Sequence, residues 1–184
     1  MPLTPEVLAA QGEVVAWLGS LDVSFAPDDE PWFTIDGVEA PRQIGRDASG
    51  GAFVLLPAQN VLYVSSEGRA GIIAGNFQAF VQLVVAHPYW LDILKFSSGG
   101  DLQEMRRAAD ALEATLDDED DINQAREEIH ERLNLPEADD PVDALYQAVA
   151  ASDAIVRATD GSPFTTLFNR FSIDNNPMLR NAAA

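Results

Sequence analysis

The stretch from Ile44 to Leu94 most restricts what this chain can fold into. It opens on Ile44-Gly45-Arg46-Asp47-Ala48-Ser49-Gly50-Gly51, continues through the apolar runs Ala52–Leu56 and Val61–Val64, turns at Ser65–Gly68, and adds a third short run, Gly71–Ala74. Apolar runs of this length between turn signals read as strands. The connections Pro57–Asn60 and Ser65–Gly68 are too short for a crossover, so the strands are expected to be antiparallel neighbours. Gly50-Gly51 permits a tight turn that a side chain would block. Asn76 then caps a helix with Phe77, Phe80, Val81, Val84 and Val85 on one face. Pro88 ends it near His87, and Tyr89-Trp90-Leu91 with Ile93-Leu94 should cover one end of the core.

Upstream, Thr4-Pro5-Glu6 is a helix start. Val7, Leu8, Val14, Val15, Leu18 and Leu21 recur at near-helical spacing up to a stop at Gly19. Asp22 to Gln43 reads as short β-runs: Val23–Phe25, a loop at Pro27–Pro31, and Trp32–Ile35 with Trp32 and Phe33 in the sheet core. Asp36-Gly37 predicts a type I′ hairpin turn back to Val38. Pro41 makes the returning strand short or peripheral.

After Ser97-Ser98-Gly99-Gly100 the chain reads as helical. Asp101 with Glu104 resembles a capping box, followed by Leu102, Met105, Ala109, Leu112 and Leu116. The acidic run Asp117–Asp121 interrupts the pattern, and Ile122, Ala125, Ile129 and Leu133 resume it up to Pro136. Asp140-Pro141 starts another helix carrying Val142, Leu145, Tyr146, Val149 and Val156 as far as Gly161. Ser162-Pro163 opens a last short one with Phe164, Leu167, Phe168 and Phe171 on one face. The expected fold is α+β: an antiparallel sheet from about Val23 to Ala74 flanked by helices, with a C-terminal helical extension. The expected organisation is 1–98 as the α+β unit and 99–184 as an acidic extension packed on it.

Charge narrows the chemistry. Eleven Lys and Arg against thirty Asp and Glu give −19, which argues against a nucleic-acid partner and favours a basic protein. The absence of cysteine removes disulfides, thiol nucleophiles and thiolate metal sites. No Lys or Arg precedes Arg42, so a signal peptide is not expected, and no apolar run suits a membrane span. A soluble, cytoplasmic protein is the expectation.

Catalytic and metal-binding patterns are weak. Glu127 and His130 have the E-x-x-H spacing of carboxylate-bridged metal bundles, but the second such pair is missing, and a salt-bridged surface helix is the simpler reading. The acidic run lacks the glycine of a calcium loop. No phosphate-binding loop, dinucleotide fingerprint or nucleophile elbow occurs. No catalytic residue, cofactor or metal is assigned, and an enzyme is not expected. The window Glu113–Asp143 holds thirteen acids against Arg126 and Arg132, a net −11 that equals the charge of all of residues 95–184. Such a face is either solvated or docks on a basic partner. The docking candidates are Asp117, Asp118, Glu119, Asp120 and Asp121, then Glu127, Glu128 and Glu131.

Gly45, Asp47, Gly50-Gly51, the strand pair Phe53–Leu56 and Val61–Val64, and Asn76-Phe77-x-x-Phe80 resemble the SUKH superfamily. These are cell-wall-regulator-like modules best known as immunity proteins of bacterial polymorphic toxin systems. The family's earlier Leu-Pro signature and Asn-Gly-Gly-like turn are not visible, and nothing after Leu94 is covered. The resemblance implies an antiparallel sheet with helices beside it. It also implies a non-catalytic role: binding and silencing a cognate toxin, often one that attacks nucleic acid. The matched residues read as turns and core, so no binding residue carries over. The alternative is a regulatory or scaffolding module with a cellular partner; an enzyme would need a cleft with convergent polar groups.

Overall fold

A computed structural model describes residues 3–25, 31–116 and 120–182. Its fold is α+β. A four-stranded antiparallel sheet, in the order β2 (Arg42–Arg46), β3 (Ala52–Leu55), β4 (Val61–Val64), β5 (Ala70–Ala74), is flanked by helices. A small second sheet pairs β1 (Phe33–Ile35) with β6 (Val156–Ala158). The helices are α1 (Pro5–Ala9), α2 (Gly12–Ser20), α3 (Phe77–Ala86), α4 (Trp90–Lys95), α5 (Leu102–Leu116), α6 (Asp120–Leu133), α7 (Pro141–Ala150) and α8 (Pro177–Ala182). No helix among the described residues is long and apolar enough to cross a membrane.

The near-continuous apolar runs of β3 and β4 follow from burial on both faces. Phe53, Leu55, Val61 and Tyr63 join the core shared with the helices. Ala52, Val54, Leu62 and Val64 meet Phe33, Ile35 and Val156 of the small sheet. Strand side chains alternate between faces, so both sets must be apolar when both faces are covered.

Gly45 permits a close approach. A Cβ there would lie 2.7 Å from the Ser24 carbonyl oxygen, where Ser24 and Arg46 exchange two backbone hydrogen bonds of 2.8 Å. Among the described residues that single bridge is the only strand pairing of Val23–Phe25 with the sheet, so the sheet proper begins at Arg42. Most of the loop expected at Pro27–Pro31 lies outside the described residues.

Four other expectations are corrected. The first helix is two, because a straight helix would place Leu8 and Val14 about 120° apart around its axis, whereas both are fully buried. Its second part runs past Gly19 and stops at Asp22, in the left-handed region with φ 62°. There the Val23 amide donates to Leu18 O and the Asp22 amide to Gly19 O. The Asp36-Gly37 turn exists, but only Gly37 has positive φ, 77°. It is therefore not type I′, and the sheet partner of β1 is β6 rather than the returning chain. Asp101 caps α5 through the amides of Gln103 and Glu104, but Glu104 turns to Arg107 instead of back to the cap. Finally, α7 ends at Ala150, Val156 lies in β6, and residues 163–171 form an extended strap rather than a helix.

The strap's backbone is satisfied by other elements. The Ala70 amide donates to Thr165 O and the Thr165 amide to Gly68 O. Arg69 donates to Thr166 O and Phe168 O, and Ser97, Ser98 and Gly99 donate to Asn169 and Phe171 carbonyls. An extended chain sends Phe164 to the small-sheet core and Leu167 to the main core. One helix face could not do both.

Candidate functional site

α6 is placed by its own periodicity. Ala125 and Ile129 are fully buried and seat it against α2, so Asp120, Asp121, Glu127, His130 and Glu131 face outward. Asn134, with φ 44°, stops α6: the Leu135 amide donates to His130 O and the Asn134 amide to Glu131 O. The following loop is pinned at three points. Leu135 is buried. Gln82 of α3 donates to Pro136 O at 2.6 Å. Asp140 caps α7 through the Asp143 amide and pairs with Arg106.

Between the end of α3, the outer face of α6 and this loop lies a cleft of about 700 Å³. Val85, Ala86, Leu135 and Pro136 supply apolar walls; Glu127, Glu131 and Glu137 supply carboxylates, with His130 among them. A second cleft of about 330 Å³ lies beyond the same loop, sharing Gln82, Ala138 and Pro141 and adding Asp139 and Asp143.

Among the described docking candidates, the cleft brings together only Glu127 and Glu131. Glu128 is tied to Arg132, which also bonds Glu13 of α2; it fastens two helices instead of presenting a charge. Asp120 and Asp121 are exposed in the first turn of α6, where carboxylates suit the helix dipole, and they do not line the cleft. Asp117, Asp118 and Glu119 lie outside the described residues. The sequence reading missed Glu137. The signal for it was the short run Asn134-Leu135-Pro136-Glu137 before Asp140-Pro141, a loop held between a helix stop and a helix start.

Arg126, which lines the cleft, pairs with Glu113, while Arg132 pairs with Glu128 and Glu13, and Arg106 with Asp140. Among the described residues, no ion pair holds Glu127, Glu131 or Glu137. No three metal-ligating side chains converge among the described residues.

Arg126 connects the cleft wall to a half-buried network. Its Nε donates to Val85 O and its Nη2 to Ala86 O, both at 2.9 Å, and its Nη1 to Glu113 at 2.7 Å. Tyr89 donates to the other Glu113 oxygen, and His87 Nδ1 lies 3.0 Å from the Tyr89 oxygen. Burial pulls the His87 pKa below its ordinary 6.5; the Glu113 charge opposes this and the Arg126 charge adds to it. Burial pushes the Glu113 carboxyl up, but hydrogen bonds from Tyr89 and Arg126 outweigh it and hold the group below the usual carboxylate range.

Residues 45–64 hold a different polar group. Asp47 accepts from the Gly51 amide (2.7 Å), the Ser49 hydroxyl (2.8 Å) and the Tyr63 hydroxyl. Tyr63 has no exposed surface, and burial, then Asp47, raises its hydroxyl pKa. This is a fastened turn.

No protein-family model, curated protein or solved structure matches the chain.

Proposed function

We propose that this chain is a non-catalytic protein-binding module that captures a basic partner in the cleft between α3, α6 and the 134–141 loop. One observation carries the reading: three carboxylates without an ion-pair partner among the described residues, Glu127, Glu131 and Glu137, surround an apolar-walled cleft of about 700 Å³. Burial of apolar surface supplies affinity at an interface centre, while charge complementarity at its edge sets orientation and on-rate. The SUKH-like residues between Gly45 and Phe80 support a toxin as the partner. A toxin acting on nucleic acid needs a basic surface of its own, and an acidic cleft would cover it.

The test begins with mass spectrometry of proteins that co-purify with the tagged chain, followed by titration calorimetry against the basic protein recovered. Glu127→Gln/Glu131→Gln/Glu137→Gln is expected to weaken binding at least tenfold and flatten its salt dependence. Asp120→Asn/Asp121→Asn should change mainly the on-rate. Equal affinity for the triple variant and the wild type would sink the site. Co-expression separates the partner classes: rescue of growth from a basic toxin supports silencing, and a partner with no toxicity overturns it.

A further inference from the structure

We propose that His87, Tyr89, Glu113 and Arg126 form an acid-sensitive latch that holds the inner wall of the cleft in place. Its relevance to docking rests on the reading above; the latch itself does not.

A helix leaves its last carbonyls unsatisfied; the His87 amide closes Leu83 O of α3, but Val85 and Ala86 need a partner from elsewhere. His87 follows it at φ −137°, and Pro88 has no amide hydrogen to give. Arg126 reaches across from α6 instead and takes both the Val85 and Ala86 carbonyls, a favourable place for a cation. Its remaining arm meets Glu113 of α5, Glu113 accepts Tyr89, and Tyr89 returns to His87 at the end of α3. The ring ties three helices together, and Val85, Ala86 and Arg126 all line the cleft.

Proton inventory fixes the ring's polarity. The single Tyr89 hydroxyl proton goes to Glu113, so the Tyr89 oxygen accepts from His87 Nδ1–H. A further proton must therefore add at Nε2. Glu113 and Asp110 of α5 and Asp140 before α7 favour it; burial and Arg126 oppose it and prevail.

Both titrating members push the same way. Opened and solvated, His87 returns towards 6.5 and Glu113 towards 4.5; closed, each lies lower. The open form therefore takes up protons first as pH falls. Its population gains by up to about tenfold per pH unit once pH passes below 6.5, until His87 protonates in the closed form. Glu113 adds to this below about 4.5. The lock is weak enough to yield, because the Glu113 side chain is 43% exposed and half-exposed ion pairs contribute little.

The test is an NMR titration of the whole chain without any partner. There are two histidines, so the spectrum of His87→Gln assigns both imidazoles. In the wild type, the Arg126 Nε–H signal and the exchange protection of the His87 amide, which bonds to Leu83 O, are expected to fall at least tenfold across the pH range where His87 titrates. In His87→Gln the same loss should move to the lower range of Glu113. Retention of the Arg126 signal through the His87 titration, or its loss at the same pH in both proteins, would overturn the latch. If His87→Gln does not fold, Tyr89→Phe carries the test: it should uncouple His87 from Arg126, and persistence of coupling would refute the ring. Because no partner is present, failure here leaves docking intact, and failure of the triple glutamate variant leaves the latch intact.

Discussion

Two tyrosine hydroxyls in this protein donate to carboxylates, Tyr63 to Asp47 and Tyr89 to Glu113, in contrasting surroundings. Asp47 is 8% exposed, and its hydrogen-bond donors are neutral: an amide and two hydroxyls. The pair ties the β2–β3 turn, where Gly50 has φ 87°, to Tyr63 of β4. A Cβ on Gly51 would lie 2.3 Å from the Tyr63 oxygen. Phe53 and Trp90 enclose the ring, with centroids 5.3 and 5.0 Å away. Glu113 instead is partly exposed and paired with Arg126, and Tyr89 links it to a histidine one hydrogen bond further on. The same chemical pair is a fastening where it is sealed, and a responsive joint where a cation and a titratable ring share it.

That contrast can be broken experimentally. The largest effect is expected for Gly51→Ala, which drives a methyl into the Tyr63 hydroxyl and unseats Asp47. A loss of about 3 kcal/mol in urea unfolding is expected from overpacking plus a strained buried hydrogen bond. Tyr63→Phe should cost about 2 kcal/mol, because it removes a donor from a buried carboxylate. Tyr89→Phe should cost under about 1 kcal/mol, because Glu113 keeps Arg126 and solvent. Equal losses for the two Tyr→Phe variants would abolish the distinction between sealed and open pairs.

The open joint also predicts a pH dependence. Unfolded His87 binds a proton near 6.5 that the folded chain resists, so stability should decline as pH falls below that value. The His87 contribution is bounded by about 1.4 kcal/mol per pH unit. His87→Gln should lack this part of the slope while retaining the decline at lower pH from Glu113. An unchanged slope would mean that His87 is not held neutral by its surroundings.

Much of the fold was legible because it is written in short-range patterns. Ala52–Leu55, Val61–Val64 and the Asn76-capped helix lie where alternation, turn residues and 3.6-residue spacing placed them. Helices α5 and α6 lie on either side of the acidic run, whose Asp120 and Asp121 open α6 and whose first three residues lie outside the described residues. The candidate site was half legible. Outward charges such as Glu127 and Glu131 follow from the helix period, but Glu128 shares their spacing and is tied to Arg132. Glu137 gains meaning only from the loop that Gln82 holds beside α3.

Phe164, Leu167, Phe168 and Phe171 show where local pattern fails. Their spacing suits a helix, yet the β5 edge, Arg69 and the Ser97–Gly99 turn offer that backbone other partners, and the chain extends. Sequence by itself determined the strand meander, the Asn76 helix and a strongly acidic surface, because propensity, capping and charge act within a few residues. Only the tertiary structure decided that β1 pairs with β6, that residues 163–171 form a strap, and that Arg126 closes α3 from forty-one residues away. Each of these depends on which distant backbone groups still need a hydrogen-bond partner once the core has closed.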